Sequence, residues 1–390
     1  GLEDQLRSVQ GMINYLTPET VPRSGFVPHA RAMLALTIMY QFNPKPELRE
    51  LIRSYGENFK KAEKNEDNIS CFFKSTDEGS PFFYTSSQFI NGTSARALAI
   101  WGLTDQDPEY IALSKRLALG LMNDSKIWTP EVEPKAVIGS DRGHFLGHMH
   151  AVVSGLMGMI YAAEATRDAR MMQFVRDAYE YQRNFGIARV GLFGEGCTTG
   201  DMTQTAIKLS EAGVGDYWED VDCYVRNHLI EIQLTDPDFL RKVTSTLDGD
   251  YVDKAYPLDK FPNRDTKDVI DRVIGTYTDD ATHLTKTPQI SLVSTICAPG
   301  NVTAGIYLAW EAAVRCKDGN AQVNLLLNRA SPWVDVDSYL PYEGKVVIHN
   351  KTAKRLSVRI PLWVDRTAVS ASMGNKAASF YWLNNYVVFD

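Results

Sequence analysis

Two short segments combine a carboxylate and thiols in a way that enzyme sites use. One is Glu195-Gly-Cys197, inside a glycine-rich stretch, and the other is Cys297-Ala-Pro-Gly-Asn301, directly before a predicted helix. One carboxylate oxygen and two sulfurs, from Glu195, Cys197 and Cys297, could bind zinc. Alternatively, Cys297 could be a nucleophile, because the N-terminal dipole of a helix lowers the pKa of a thiol. Both thiols could also be ordinary buried residues.

Histidines and an arginine form a second group of candidates. They gather at the predicted starts of helices, as in His144-Phe-Leu-Gly-His-Met-His150. The spacing of His144 and His148 suits a metal on one helical face, but Gly147 indicates that the helix begins only after it. A histidine at a helix entry also commonly binds hydroxyl groups of a substrate or caps the backbone. The substrate-binding candidates are His29, Arg142, His148 and His150.

A pair of carboxylates is the other chemistry that the sequence leaves open. Enzymes that cleave a bond with two carboxyl groups hold them about 5 Å apart when one is a nucleophile, and about 6.5–9.5 Å apart when one activates a water. Glu195 is the first candidate, and Asp201 or Asp141 could be its partner. The spacing alone does not choose between the two partners.

These candidates must be positioned by a repeated helical hairpin. An apolar helix, a short break and an amphipathic helix recur four times, with the breaks near residues 43, 105, 168 and 216. The first helices are apolar nearly all round, which predicts burial on every side. The second helices carry charge on one face. An inner and an outer ring of this kind predict an (α/α)6 toroid or barrel, with an α-solenoid or a plain bundle as the alternative.

In a toroid, the starts of the inner helices all face one rim. His29, the 142–150 segment, the 195–201 segment and the 297–301 segment precede or open four such helices. We therefore expect these four stretches to converge on one mouth. This expectation follows from the repeat and not from a motif.

The C-terminal part has a different pattern. A last helix is predicted over residues 301–315, and Leu356, Val358 and Ile360 then alternate with Ser357 and Arg359, as in a half-buried strand. The sequence predicts a barrel domain over residues 1–317 and a β-sandwich over residues 318–390. Because the last residues read as the middle of a strand, we expect the natural chain to continue.

Composition excludes several classes of protein. The net charge of −7 argues against a nucleic-acid partner, and the 44% of hydrophobic residues suffices for a large core. No segment approaches the roughly 18 apolar residues of a membrane span. Five cysteines in 390 residues are not a disulfide framework. The sequence leaves the oligomeric state and the compartment open, and both the bacterial periplasm and the cytoplasm are plausible.

Residues 145–390 resemble the β-L-arabinofuranosidase group of glycoside hydrolases, family 127 and its relatives. Glu195-Gly-Cys197 resembles the family's Glu-Thr-Cys, and Cys297-Ala-Pro-Gly-Asn301 is similar to its Cys-Cys-Pro-Pro-Asn. Gly147-His148 and Arg359-Ile-Pro-Leu-Trp363 resemble two further family segments. The resemblance implies an (α/α)6 barrel followed by β-sandwich modules, and hydrolysis of a glycosidic bond with retention.

The resemblance also implies roles for single residues. Cys297 would be a zinc-bound nucleophile, Glu195 and Cys197 would be zinc ligands, and His148 would bind sugar. The chain departs from the family pattern at Ala298, which replaces a second cysteine ligand, and in residues 186–194, which hold no acid/base glutamate. With Ala298, at most three protein ligands remain for a zinc ion, which normally takes four groups.

The sequence predicts a glycoside hydrolase acting on a plant or microbial polysaccharide or oligosaccharide. Aromatic platforms for the sugar could come from Tyr84, Tyr217 and Trp218. A polysaccharide lyase on uronate-containing glycans is one alternative, since Arg142, His148 and His150 suit an anionic sugar. A carbohydrate-binding protein without catalysis is the other, because of the two departures.

Overall fold

The chain is mainly helical and ends in a region of β-sheet. The computed structural model describes residues 26–66, 69–71, 81–123, 137–139, 142–144, 149–245, 267–279 and 298–390. The chain divides into two compact units. The first comprises residues 1–186 and 208–215, and the second comprises residues 187–207 and 216–390.

The first unit consists of helical hairpins. The helices that the structure describes in it are α1 (Phe26–Phe42), α2 (Pro46–Ala62), α3 (Pro81–Asp105), α4 (Pro108–Asn123), α5 (Met149–Thr166) and α6 (Ala169–Gln182). Short antiparallel hairpins are formed by β1 (Lys64–Glu66) with β2 (Ile69–Cys71) and by β3 (Val137–Gly139) with β4 (Arg142–His144). Helices α2, α3 and α4 begin with proline, which suits the first turn because its missing N–H needs no partner there.

The first helices of the hairpins run in the same direction. Near the start of α1, the Arg31 guanidinium lies 5.3 Å from the centre of the Phe89 ring in α3. At the far ends of the same helices, the Gln41 amide donates a hydrogen bond of 2.8 Å to the Thr104 hydroxyl. The Phe89 ring also lies 5.2 Å from that of His150, at the start of α5. The starts of α1, α3 and α5 therefore lie at one end of this unit.

The second helices also form a parallel set. The Tyr110 hydroxyl of α4 donates to the Glu57 carboxylate of α2 at 2.9 Å. Six residues further along each of the two segments, Arg116 donates two hydrogen bonds, of 2.7 and 2.8 Å, to Glu63. The predicted repeat of hairpins is thus confirmed for three copies, with the breaks where they were expected. Closure of the helices into a barrel stays a prediction.

Helices α3 and α5 approach each other through glycines. A Cβ atom added to Gly92 would lie 2.5 Å from the Cα atom of Gly155, and one added to Gly158 would lie 2.4 Å from the carbonyl oxygen of Gly92. Neither contact is compatible with a side chain. Helix α5 is buried along almost its whole length, as its apolar sequence predicts.

The second unit joins helices to the sheets. The helices that the structure describes in it are α7 (Gly196–Glu211, of which residues 196–207 belong to this unit), α8 (Trp218–Tyr224), α9 (Pro237–Thr244), α10 (Val269–Val273) and α11 (Ala298–Ala312). Helix α8 continues into one π-helical turn, Val225–Leu229. Among the residues described in both units, no helix combines the length and the apolar character that crossing a membrane requires.

The β-region contains two larger sheets. The strands of the first, in spatial order, are β13 (Tyr381–Leu383), β14 (Tyr386–Phe389), β10 (Arg355–Arg359), β6 (Asn320–Val323) and β5 (Val314–Lys317). Those of the second are β7 (Arg329–Ala330), β8 (Val334–Ser338) and β9 (Val346–Asn350). A small hairpin is formed by β11 (Ser372–Met373) and β12 (Lys376–Ala377).

One hydrophobic cluster is shared by the two larger sheets. Val323, Val358 and Val387 enter it from the first sheet, and Val334 and Val336 enter it from the second. The predicted C-terminal β-region is therefore confirmed. The change from helix to strand comes at residues 312–314, a few residues before the expected position.

Strand β10 differs from the half-buried strand that its sequence predicts. Ser357 and Arg359, expected on the solvent face, are buried together with Val358. The strand lies between β14 and β6, so both of its edges are paired. Its second face is covered as well, because Arg359 contacts Glu219 of α8. The alternation of apolar and polar residues alone could not predict that the face of β10 that carries Arg359 is buried.

Candidate active site

Glu195 and Cys197 lie together at the start of α7. The Cys197 thiol donates a hydrogen bond to the Glu195 carboxylate, with 3.4 Å between Sγ and Oε2. Cys197 is fully buried and Glu195 is half-buried. The carboxylate and the thiol that the sequence analysis singled out first are therefore in direct contact.

The glycines around this pair are required by the backbone. Gly194 has a φ of +96°, a left-handed conformation that side chains disfavour. A Cβ added to Gly196 would lie 2.5 Å from the end of the Ile232 side chain and 3.0 Å from the Thr278 carbonyl oxygen, so both neighbours would have to shift. The glycine-rich sequence thus lets the chain turn sharply and lets α7 begin against its neighbours.

Thr199 holds both ends of the turn that precedes α7. Its backbone N–H donates to the Glu195 carbonyl oxygen at 3.3 Å, and its hydroxyl donates to the Gly191 carbonyl oxygen at 2.8 Å. Gly191 itself has a φ of +72°, and a Cβ there would lie 2.8 Å from the Tyr224 ring. The same ring packs edge-on against Phe193 at 5.4 Å. The turn of residues 191–195 is therefore fixed at several points.

His228 adds a side-chain contact to this arrangement. It lies in the π-helical turn, is 7% exposed, and its Nδ1 is 2.8 Å from the Thr199 hydroxyl. A hydroxyl has one hydrogen, and that of Thr199 goes to Gly191. We infer that Nδ1 of His228 carries a proton and donates to Thr199.

The start of α11 lies beside the start of α7. Asp279 joins them: its carbonyl oxygen accepts from the Gly196 N–H at 2.7 Å, and its carboxylate accepts from the Ala298 N–H at 2.6 Å. The carboxylate satisfies a donor that the first turn of a helix leaves without an intrahelical partner. Two helix N-termini, each with a partial positive charge, are therefore adjacent.

The two helices remain in close contact after their first turns. A Cβ on Gly200 would lie 2.5 Å from the carbonyl oxygen of Asn301 and 3.0 Å from the nitrogen of Val302. A Cβ on Gly305 would lie 3.0 Å from the carbonyl oxygen of Gly200. Helices α7 and α11 therefore start together and run alongside each other.

Asp201, the predicted partner of Glu195, lies one turn after Cys197 on α7. It is 3% exposed, and its carboxylate accepts a hydrogen bond of 3.0 Å from the Gln204 amide. Positions 197 and 201 share one face of the helix, because residues four apart do so. The structure thus places Asp201 in the same helix and on the same side as the thiol.

The candidates in the first unit also lie at helix starts. His29, in the first turn of α1, packs edge-on against Tyr55 at 5.7 Å and Phe59 at 6.4 Å, and burial lowers its pKa. His150, the second residue of α5, is buried and contacts Phe89. Convergence of these residues with Glu195 on one mouth stays a prediction.

Several predicted site residues have no described side chain. Arg142 is described as a backbone position of β4, paired with Gly139. Asp141, His148 and Cys297 lie outside the described residues. The residue bonded to Cys297 is Ala298, the first residue of α11.

Glu195 and Cys197 fit as two ligands of a zinc ion. Tetrahedral zinc with oxygen at about 2.0 Å and sulfur at about 2.3 Å separates these two atoms by about 3.5 Å. The observed distance between Oε2 and Sγ is 3.4 Å. In the described parts of the chain, no group of three or more His, Cys, Asp or Glu side chains is placed to hold a metal. The predicted third ligand, Cys297, is outside those parts.

The sequence did not point to Asp279, Thr199 or His228. Asp279 precedes another aspartate in a proline- and aspartate-rich stretch, and His228 belongs to a polar-faced helix. Only its residue type could have drawn attention to His228, because histidine is rare in this chain, with seven among 390 residues. Their roles depend on contacts between segments that are distant in sequence.

The chain resembles solved structures in fold but matches no known sequence family. No curated protein matches it either. Among solved structures, a family 127 β-L-arabinofuranosidase from Geobacillus stearothermophilus T6 aligns with a TM-score of 0.46 at 11% sequence identity. The alignment covers 92% of this chain and 69% of that one. Similarity at this level says nothing about shared chemistry.

Proposed function

We propose that this protein is a glycoside hydrolase that cleaves glycosidic bonds in plant or microbial polysaccharides or oligosaccharides. The observation that carries the proposal is the contact between the Glu195 carboxylate and the Cys197 thiol, 3.4 Å apart at the start of α7. It joins the two residues that the sequence resemblance assigns to the active site. The adjacent start of α11 is the position that directly follows Cys297, the third such residue.

The proposed roles follow from the chemistry of these side chains. Glu195 and Cys197 would hold zinc together with Cys297, and zinc when bound keeps thiols ionised near neutral pH. The Cys297 thiolate would attack the anomeric carbon while the bond to the leaving oxygen breaks and that oxygen takes up a proton from water. Water would then displace the sulfur and lose a proton, which regenerates the thiolate.

The adjacent N-termini of α7 and α11 favour negatively charged side chains close to them. Each N-terminus carries roughly half a positive elementary charge, which favours carboxylates and thiolates close to it. Glu195 comes directly before α7 and Cys297 comes directly before α11. His29, Arg142, His148 and His150 are proposed to bind the sugar hydroxyl groups.

The experiment combines product analysis with three variants. Purified protein is incubated with a panel of p-nitrophenyl glycosides, including L-arabinofuranosides, and with plant cell-wall oligosaccharides. We expect release of reducing sugar without new absorbance near 235 nm. Glu195→Gln should lower kcat/KM by about a hundredfold or more, and Cys297→Ala should lower it further. Zinc content, measured by mass spectrometry, should fall in Cys197→Ser.

Matched controls are available in the β-region. Glu343→Gln changes an exposed glutamate, and Cys316→Ala changes a half-buried thiol of β5; both should keep wild-type activity. Activity that survives Cys297→Ala but is lost in Asp201→Asn would favour paired carboxylates and contradict the cysteine mechanism. New absorbance at 235 nm would indicate a lyase, and binding without any product would indicate a carbohydrate-binding protein.

A further inference from the structure

We propose that His228 is a positioning residue, which acts through Thr199 on the turn that presents Glu195. The role rests on the proposed function of Glu195, but its structural part does not. His228 is buried and contacts Thr199, and the proposed reaction assigns it no role.

The hydrogen bonds around Thr199 have a defined direction. The Thr199 hydroxyl donates to the Gly191 carbonyl oxygen at 2.8 Å and lies 2.8 Å from His228 Nδ1. With its single hydrogen used, the hydroxyl can only accept from the imidazole. Accepting a hydrogen bond strengthens the bond that the hydroxyl donates, because connected hydrogen bonds polarise one another.

This chain of hydrogen bonds ends at the turn that carries Glu195. Gly191 opens the turn and Glu195 closes it, and Thr199 contacts both through its hydroxyl and its backbone N–H. Losing the hydroxyl contact would leave the Gly191 end without this anchor. The carboxylate of Glu195 would then be held less well against Cys197.

The element that carries the histidine also contacts the site elsewhere. His228 lies in a π-helical turn, Val225–Leu229, and turns of this kind occur frequently at functional sites. Tyr224 directly precedes that turn and packs against Phe193. Ile232 follows the turn and contacts Gly196. One segment thus contacts the turn, the helix start and Thr199.

The experiment uses two pairs of variants in the full chain. Thr199→Val and His228→Leu remove the contact, while Thr199→Ser keeps the hydroxyl and His228→Asn keeps a donor at the position of Nδ1. In the removing variants, we expect kcat to fall by up to about a hundredfold with KM little changed, since small displacements of a reacting group have effects of this size. Both conservative variants should recover most of the activity.

Hydrogen exchange and the pH profile distinguish positioning from proton transfer by His228. Amide hydrogen exchange of residues 187–197 should accelerate in Thr199→Val and not in Thr199→Ser. Unchanged exchange and unchanged kcat would overturn the proposal. A shifted pH profile in His228→Asn would overturn it too, because it would make His228 a proton-transfer group. If exchange accelerates but no hydrolysis is found with wild-type protein, the positioning contact stands and the proposed function fails.

Discussion

His29 is a titratable side chain that is partly buried at the start of α1. Its Nε2 atom is buried and has no hydrogen-bond partner among the described residues, and its ring packs against Tyr55 and Phe59. Loss of hydration disfavours the charged imidazolium, which lowers the pKa of His29 from its ordinary value of 6.5. Below that value the unfolded state binds more protons than the folded state. Protonation of His29 therefore favours unfolding, and the free energy of unfolding falls as the pH falls through this range.

Replacement of His29 tests this directly. We expect His29→Phe to lose less stability than the wild type between pH 7.5 and pH 5.5, because the group that takes up the extra proton on unfolding is gone. The measurement is chemical denaturation at both pH values, with the difference between the two proteins as the readout. Equal losses in wild type and variant would show that His29 does not contribute.

At the scale of elements, the geometry of the site depends on how closely α7 and α11 pack. Their backbones approach at Gly200, where the three atoms nearest to an added Cβ would be backbone atoms of α11, at 2.5–3.0 Å. Backbone cannot move aside as the end of a side chain can. The two helix starts, and the residues that precede them, therefore depend on a glycine at this position.

Two glycine variants separate packing from helix propensity. Gly200→Ala should lower the free energy of unfolding by about 1–3 kcal/mol, because the helices must separate. It should also lower activity, since the helix starts move with them. Gly300→Ala is the control: an added Cβ meets no described atom within 4 Å, and alanine favours the helix by up to about 1 kcal/mol. Urea denaturation measures both effects, and similar values for the two variants would contradict the packing role of Gly200.

At the largest scale, the second unit is held together by a buried ion network between helix and sheet. Arg359 of β10 is 1% exposed and contacts Glu219 at 2.6 Å and Asp222 at 3.3 Å, both in α8. Arg226 joins the same network, binding Asp222 at 2.7 Å and the Leu326 carbonyl oxygen at 2.8 Å. Helix α8 leads into the π-helical turn that carries His228, so the sheet supports the segment that contacts the site.

Removing one side of this network should be costly. Arg359→Met should lower the free energy of unfolding by about 3–5 kcal/mol, because Glu219 and the buried Asp222 each lose an ion-pair partner. Arg355→Met is the matched control on the same strand; its guanidinium is solvent-exposed beside Asp390, and we expect little change. Thermal unfolding of both variants is the measurement. Comparable shifts in the two melting temperatures would argue against the supporting role of Arg359.

The sequence by itself determined the helical hairpins, the C-terminal β-region and the pairing of Glu195 with Cys197. These features are local: apolar periodicity fixes which stretches become helices, and a glycine-rich turn brings together residues two apart. Only the tertiary structure decided the neighbours of that pair. Asp279 joins two helix starts, and Arg359 reaches Glu219 across 140 positions of sequence. Such contacts depend on how distant elements pack, so no pattern within one element could reveal them.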